Sequence, residues 1–354
     1  MHFGEKHMKV WKQFWQQNKE RKLYIIAITA CILATLASLC FGAAKLTVPQ
    51  ILDLLRPEQL SEFFTNGAKN LGYAGIIFWT IRLPRTAACL LAGAALAVAG
   101  TVIQGVLANK LASPSIIGVN AGAGLAVTIC CAMGAISGWA IAGASFFGAL
   151  LAVLLISLTA QKLNASRTTV ILGGVAINSF LNAGTEAITT LIPEAGMLTA
   201  DFRAGGFSAV SHIRLIPAGI LILIALVIVM TLHNELDLMN LGEDMAQGLG
   251  LSVKKMRTIF LALAALLAGA SVSFAGLLGF IGLIIPHAMR GIVGGENRIL
   301  IPMCALGGAT FVTICDVFSR LAFAPHEVPV GILMSFIGGP FFIWLLLKKR
   351  GGRF

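Results

Sequence analysis

The sequence predicts an all-α polytopic membrane protein with about ten transmembrane helices. Three observations support this fold class. The 354 residues have a mean hydropathy of +0.88. Only 12% of them are charged, whereas a soluble domain carries about a quarter. Long charge-free runs also follow one another along the chain. So few charges cannot cover the surface of a soluble particle of this size, which excludes a cytosolic enzyme and a disordered chain.

The first part of the chain contains one predicted span. Residues 1–22 are basic and interleave Trp and Phe with lysines, as expected for a cytoplasmic segment at the lipid headgroups. The charge-free run 23–44 is long enough to cross a bilayer and longer than the apolar core of a signal peptide. Residues 45–81 are too polar to span and are predicted as a loop with short helices.

Nine further spans are predicted in the rest of the chain. The stretch 134–138 divides one long apolar run, and Gly276, Gly279, Gly282 and Pro286 offer a break in another. The predicted helices cover residues 86–109, 116–134, 138–161, 168–191, 215–232, two segments within 258–289, 300–323 and 328–347. They form one transmembrane domain, residues 23–348, followed by a cytoplasmic tail at 349–354.

The distribution of positive charge predicts the orientation. With ten alternating spans and a cytoplasmic N-terminus, eighteen of the 26 Lys and Arg residues lie on the cytoplasmic side. Positive residues collect on that side of membrane proteins, so we expect both termini there. The same bias explains the net charge of +11 without a nucleic-acid partner.

The sequence lacks the motifs of nucleotide and metal chemistry. It has no GxxxxGK[ST] loop, no HExxH motif and no CxxC pair among its seven cysteines. We therefore expect no catalytic residue, no metal site and no cofactor in this chain. The carboxylates within predicted spans are Glu186 and Asp316, and Arg320, one helical turn after Asp316, predicts an ion pair there.

The cytoplasmic loop 234–256 carries an informative local pattern. Leu241, Met245, Ala246 and Leu249 share one face of a short predicted helix. Such a helix either docks into a groove of a soluble partner or lies on the lipid surface. Periodicity does not separate these two interpretations.

Several motifs in order resemble the permease subunits of FecCD-type (type II) ABC importers, which carry iron–siderophore complexes, haem and cobalamin. The resemblance covers the chain from about residue 80 to its end. The motifs are Arg82-Leu-Pro-Arg85, residues 92–97 followed by Gln104, residues 109–118, Gly122-Ala123, residues 241–250, residues 279–290, Asp316 with Arg320, and residues 328–344.

The resemblance implies an assembly rather than a protein that works alone. Two permease subunits, identical or similar, would pair in the bacterial plasma membrane. Two ATPase subunits, which hold ATP and Mg²⁺, would bind below, and an extracytoplasmic binding protein would deliver the ligand from above. The implied activity is import by alternating access, with an iron(III)–siderophore complex as the commonest ligand and haem or cobalamin as alternatives.

The resemblance also assigns candidate residues. Arg82, Arg85 and Arg320 match arginines at the outer mouth that receive acidic residues of the binding protein, so we expect them to be exposed. Asn109 and Leu111 match the cytoplasmic gate. The residues that match the helix coupled to the ATPase are Leu241, Gly242, Glu243, Met245, Ala246, Leu249 and Gly250.

Other expectations rest on position or on departures from the family pattern. Asn178 and Asn182 are expected to line the pathway because of the place of their helix. Lys110 stands where the family usually has Pro, and residues 201–208 replace a segment that often contains Trp followed by Gly-Ser. The resemblance therefore does not predict the local geometry at either place.

Two other function classes are consistent with a polytopic membrane protein. An ion-coupled secondary carrier needs buried ionisable groups at mid-membrane, and the predicted spans hold few of them. A polytopic membrane enzyme needs His, Asp or Ser groups that converge at one depth, and the sequence shows no such set.

Overall fold

The computed structural model describes residues 2–351 except 43, 45, 55, 68–70, 163–166, 323 and 325. The protein is 82% helical, and no strand occurs among these residues. The α-helices are α1 (His2–Cys40), α2 (Val48–Leu54), α3 (Pro57–Asn66), α4 (Gly72–Ile76), α5 (Leu83–Val106), α6 (Val119–Ala132), α7 (Gly138–Lys162), α8 (Arg167–Leu191), α9 (Pro193–Ala204), α10 (His212–Thr231), α11 (His233–Asn240), α12 (Glu243–Gly248), α13 (Val253–Ala275), α14 (Ile281–Val293), α15 (Asn297–Leu321) and α16 (Val330–Gly351).

Ten of these helices coincide with the ten predicted spans: α1, α5, α6, α7, α8, α10 and α13–α16. In the described part of the chain, six helices are long and apolar enough to cross a membrane, and three shorter apolar helices accompany them. The tenth, α8, is 25 residues long but is not among these nine. The prediction of an all-α membrane protein with about ten helices is confirmed.

Several predicted boundaries were displaced. Residues 2–40 form one continuous helix, α1, which joins most of the two predicted segments 1–22 and 23–44. Of the predicted tail 349–354, only the first residues, at the end of α16, lie within the described part. The long run 258–289 breaks at residues 276–280, between α13 and α14, so Gly282 and Pro286 lie inside α14. Phe280 at this break has a φ of +64°, which cannot continue a helix.

The helix α5 lies at the centre of the bundle. Nearly every residue from Ala88 to Val106 is buried, and the helix contacts α10, α13, α14 and α15. The hydrophobic effect between helices is weak in lipid, so close packing of small residues has to hold such a bundle together. The sequence of α5 provides this packing with Gly or Ala at 10 of its 24 positions.

Two glycine pairs bring the backbones of neighbouring helices into contact. A Cβ added to Gly93 of α5 would lie 2.2 Å from the carbonyl oxygen of Gly308 in α15. A Cβ added to Gly100 would lie 1.9 Å from the oxygen of Gly282 in α14. Only glycine permits these approaches, so α5, α14 and α15 pack as one body.

Residues 46–79 form a smaller satellite of this bundle. Ile51, Leu54, Leu71, Phe78 and Trp79 make a separate apolar cluster beside the end of α1. The short helices α2–α4 expected in this segment are present, and a π-helical turn, Ile77–Arg82, leads directly into α5.

The backbone contact between α5 and α15 gives the first prediction. We expect Gly93→Ala to destabilise the protein by about 1–3 kcal/mol, because the new methyl group has to push α15 away. The matched control is Gly143→Ala in α7, where an added Cβ meets no atom within 4 Å. Thermal unfolding of both variants in detergent measures the difference. Equal midpoints for the two variants would contradict the packing described above.

Candidate functional site

A cluster of three arginines and two carboxylates lies at one end of the bundle. We call Arg82, Arg85, Asp316, Arg320 and Glu327 the arginine–carboxylate cluster. The Asp316 side chain is fully buried. Arg85 Nε and Nη2 donate to Asp316 Oδ1 at 3.0 and 2.9 Å, and its Nη1 donates to Glu327 at 2.7 Å. Arg320 Nε lies 3.0 Å from Asp316 Oδ2, which confirms the predicted ion pair.

The remaining donors of the cluster hold the C-terminal end of α1. Arg82 donates to the carbonyl oxygens of Leu39 and Cys40 at 2.6 and 2.7 Å. Arg320 donates to Ser38 Oγ at 2.9 Å and to the oxygen of Phe41 at 3.1 Å. The last carbonyls of a helix have no intrahelical partner, and cations there are also favoured by the helix dipole. The cluster therefore fixes α1 to α5 and α15.

The expectation that these arginines are exposed was wrong. Arg82, Arg85 and Arg320 are only 3%, 6% and 3% exposed, because carboxylates and helix-end carbonyls inside the chain take up their donors. Sequence reasoning could not place Glu327, which comes from the segment before α16 and shows no periodic signal. The binding-protein role of the three arginines stays a prediction, and this geometry favours a structural role for Arg82 and Arg320.

A cleft of about 320 Å³ opens beside the cluster. The cleft is lined by residues at the end of α9 and just after it (within 201–209), by the end of α13 and by the start of α16. Arg85 and Glu327 reach it from the cluster, and Asp201 and Arg214 line it from the other side. Arg214 donates to the oxygen of Ala209 at 2.7 Å, and no carboxylate of the described residues pairs with it.

The short helix α12 presents apolar side chains to the outside. Leu241, Met245 and Leu249 are each more than half exposed and follow one another at intervals of four residues. This part of the predicted face is present. Ala246 was placed wrongly on that face, because it points inward and is fully buried. The result is a patch of three exposed apolar side chains at α12: Met245 lies within the six-residue helix, Leu241 just before it and Leu249 just after it.

Glycines and one ion pair set the position of α12. Gly242 before the helix and Gly250 after it have φ values of +109° and +86°. At the C-terminal end, Leu251 N–H donates to the Ala246 oxygen and Gly250 N–H to the Gln247 oxygen, which is a Schellman motif. Glu243 in the first turn pairs with Arg257 of α13. These contacts hold the apolar patch in one orientation.

The turn after α5 contains the two predicted gate residues. Asn109 Oδ1 accepts the N–H of Leu111 at 2.9 Å, which makes an Asx turn with Lys110 exposed at its tip. Ala108 ends α5 with a φ of +44°. The chain thus bends here without the Pro that the family usually has. A gate role for Asn109 and Leu111 stays a prediction.

The helix α8 carries an exposed polar stripe. Ser179, Asn182 and Glu186 are exposed on one face, and Glu186 pairs with Arg203 of α9 at 3.0 Å. Asn178 differs from Asn182, since it is half-buried and its Nδ2 donates to the oxygens of Ser115 and Ile116, each at 2.9 Å. Asn178 therefore holds α8 to the segment before α6, whereas Asn182 is free of such contacts in the described part of the chain.

These features lie at the two ends of one long helix. The helix α15 has 25 residues, a length of about 37 Å, comparable to the thickness of a bilayer. Asp316 and Arg320 are at its C-terminal end, and its N-terminal residue, Asn297, contacts α11 just before α12. The arginine–carboxylate cluster and α12 are thus on opposite sides of the bundle.

Comparison with known proteins agrees with this arrangement. The family model of the FecCD transport family matches residues 30–348. This chain belongs to the FecCD transport family. It is similar to the vitamin B12 import system permease protein BtuC of Shigella boydii, with 33% identity over 95% of this chain and 98% of that protein. It is also 33% identical to the hemin transport system permease protein HmuU of Yersinia pestis, over 78% and 85% of the two chains.

A solved structure extends the similarity to the fold. The FecCD permease superposes with a TM-score of 0.79 on a metal-chelate type ABC transporter solved in an inward-facing conformation, with 27% identity and coverage of 93% and 99% of the two chains. The chain is therefore an ABC transporter permease, a membrane subunit rather than the subunit that hydrolyses ATP. The family implies a partner permease and ATPase subunits.

The buried carboxylate of Asp316 gives the second prediction. Asp316→Asn leaves two buried arginines with too little negative charge, so we expect a loss of about 3–5 kcal/mol of stability. Glu186→Gln removes a carboxylate from an exposed pair and should cost less than about 1 kcal/mol. Thermal unfolding of both variants in detergent checks this. A small effect of Asp316→Asn would mean that the cluster does not hold the helix ends together.

Proposed function

We propose that this FecCD permease forms the pathway of an ATP-driven importer for iron(III)–siderophore complexes. Two permease subunits would enclose the pathway in the plasma membrane, with both termini in the cytoplasm. The ATPase would bind ATP and Mg²⁺ and drive alternating access, while an extracytoplasmic binding protein would deliver the ligand. Haem and cobalamin are alternative ligands, favoured by the similarity to HmuU and BtuC. An ion-coupled secondary carrier is disfavoured by the family to which the chain belongs.

The exposed patch of α12 is the observation that carries the ATP-driven part of the proposal. Met245 projects from α12, which is fixed at both ends, and the exposed Leu241 and Leu249 flank this helix on the side of the bundle opposite the arginine–carboxylate cluster. An exposed apolar patch on a rigid helix suits a groove in a soluble partner. We assign this groove to the ATPase subunit.

The polar stripe of α8 supports a pathway between two permease subunits. A carboxylate and an amide are costly in contact with lipid, so Asn182 and Glu186 favour water or protein as their surroundings. Within one chain this face is uncovered. We infer that a second permease subunit faces it and that Asn182 borders the pathway between them. Asn178 fixes the same helix to the segment before α6 through its two hydrogen bonds to that segment.

The cleft beside the arginine–carboxylate cluster is the proposed contact of the binding protein. Among the three candidate arginines, Arg85 lines this cleft, where Glu327 partly covers it. Arg214 adds a positive charge that is matched by a backbone carbonyl. An acidic residue of the binding protein would reach Arg85 through the mouth of the cleft and would compete with Glu327 for the Arg85 guanidinium.

The ligand can be tested directly. Proteoliposomes would contain the permease, its ATPase and its binding protein, with ATP inside. They are offered a ferric siderophore, haem and cobalamin in parallel. We expect accumulation of the ferric siderophore that depends on ATP and on the binding protein. Accumulation of haem or cobalamin alone would support the importer function and would show that the ligand is not a ferric siderophore. Uptake that an uncoupler abolishes and that needs no ATPase would contradict the ATP-driven mechanism.

The apolar patch of α12 can be tested in the same vesicles. We expect Met245→Glu to abolish ATP-driven uptake while the permease keeps its thermal stability, because Met245 is exposed in the free subunit. Gln247→Glu places the same charge on another exposed face of α12 and should have a much smaller effect. Equal losses for the two variants would argue against docking through the apolar face.

A further inference from the structure

A carboxylate before α12 binds the first residue of α15. Asp237 of α11 accepts the backbone N–H of Asn297 at 3.2 Å through Oδ1 and at 3.3 Å through Oδ2. Asn297 Nδ2 also donates to Asp237 Oδ1 at 2.8 Å. Asn297 itself is buried. The carboxylate satisfies a free donor at a helix N-terminus and faces the positive end of the helix dipole, so it fixes α11 to α15.

The helix α11 also contacts α5. Leu236 is fully buried and lies on Gly105, where an added Cβ would be 2.7 Å from Leu236 Cδ1. Met239, one turn later, is fully buried as well. Only Leu241 and Gly242 separate α11 from α12. A displacement of α12 therefore reaches α11 through a link of two residues.

The helix α15 extends this contact across the bundle. It touches the backbone of α5 at Gly308 and ends in the arginine–carboxylate cluster, which holds α1 and the segment before α16. A single rigid element thus joins Asp237 on one side to Arg85 and Glu327 on the other. This is the continuous packed connection through which a movement at α12 can affect the far end.

Burial raises the pKa of Asp237, Glu296 adds to the increase, and the bonds from Asn297 and the nearby His233 counteract it. A raised pKa means that the folded chain holds the proton more tightly than the unfolded chain. The stability that is linked to protonation of Asp237 is therefore lost as the pH rises through this pKa.

We propose that Asp237 is a positioning residue that transmits the movement of α12 to α15 and so couples ATP hydrolysis to transport. This inference rests on the proposed ATP-driven function. A carboxylate that only capped α15 would affect the stability of the chain and leave the ratio of ligand transported to ATP hydrolysed unchanged. A transmitting contact changes that ratio.

The test measures this ratio in the complete complex. We expect Asp237→Asn to lower the ligand transported per ATP hydrolysed by about fivefold or more, the lower range of a coupling contact, while ATP hydrolysis continues. Glu296→Gln is the matched control. It removes the same charge from the residue just before α15, and its carboxylate contacts Arg298 rather than α11. This control should keep the ratio of the unchanged protein.

A double variant separates transmission through the contact from loss of the Asp237 charge alone. Asp237→Asn combined with Asn297→Asp exchanges the donor and the acceptor, so the contact can form again and the ratio should recover at least partly. If Asp237→Asn does not fold, Asn297→Ala removes the 2.8 Å bond alone and should lower the ratio in the same direction.

The possible outcomes lead to different conclusions. An unchanged ratio in Asp237→Asn, or a double variant with a ratio no higher than that of Asp237→Asn, would overturn the inference. These results are distinct from a failure of the proposed function, in which the unchanged protein itself shows no ATP-dependent uptake of a ferric siderophore, haem or cobalamin.

Discussion

The buried carboxylate of Asp316 is the interaction on which the rest of this structure depends. A charge without contact to water must be compensated within the protein. Arg85 and Arg320 provide this compensation, and each brings a second element with it: Arg85 holds Glu327 before α16, and Arg320 holds Ser38 in α1. One acidic residue thus determines where four parts of the chain meet. The rest of the bundle, built mainly from small apolar residues, packs around α5, and Arg290 of α14 adds a hydrogen bond to the buried Gln104 of α5.

Once the internal charges are compensated, two exposed features remain, and these are the surfaces to which we propose that partners bind. Leu241, Met245 and Leu249 form an apolar patch on α12, and Asn182 and Glu186 form a polar stripe on α8. In a single subunit the apolar patch would face water and the polar stripe would face lipid, and both arrangements are unfavourable. An ATPase below and a second permease subunit beside the chain would cover both. The close glycine contacts of α5 with α14 and α15 make these three helices one body, so alternating access has to involve the helices around it.

The sequence predicted the helices well because hydropathy acts locally. All ten spans could be located from apolar runs with few or no charges, and the exposed residues at α12 from their spacing of four. The errors arose where tertiary packing decides. Ala246 fits the apolar face by periodicity, but the orientation imposed by Gly242 and the Glu243–Arg257 pair turns it inward. Arg82 and Arg320 match motifs at an outer mouth, but their exposure depends on the distant end of α1. Asp237 gave no local signal, since its partner follows sixty residues later.

The central claim is that α12 is the surface on which the ATPase binds. The most direct measurement is the reactivity of a single introduced thiol, Met245→Cys, towards a water-soluble maleimide, with the unchanged chain correcting for its seven natural cysteines. The account predicts fast labelling in the isolated permease and strongly slowed labelling after the ATPase subunits are added. Labelling at the same rate in the isolated permease and in the assembled complex would contradict it.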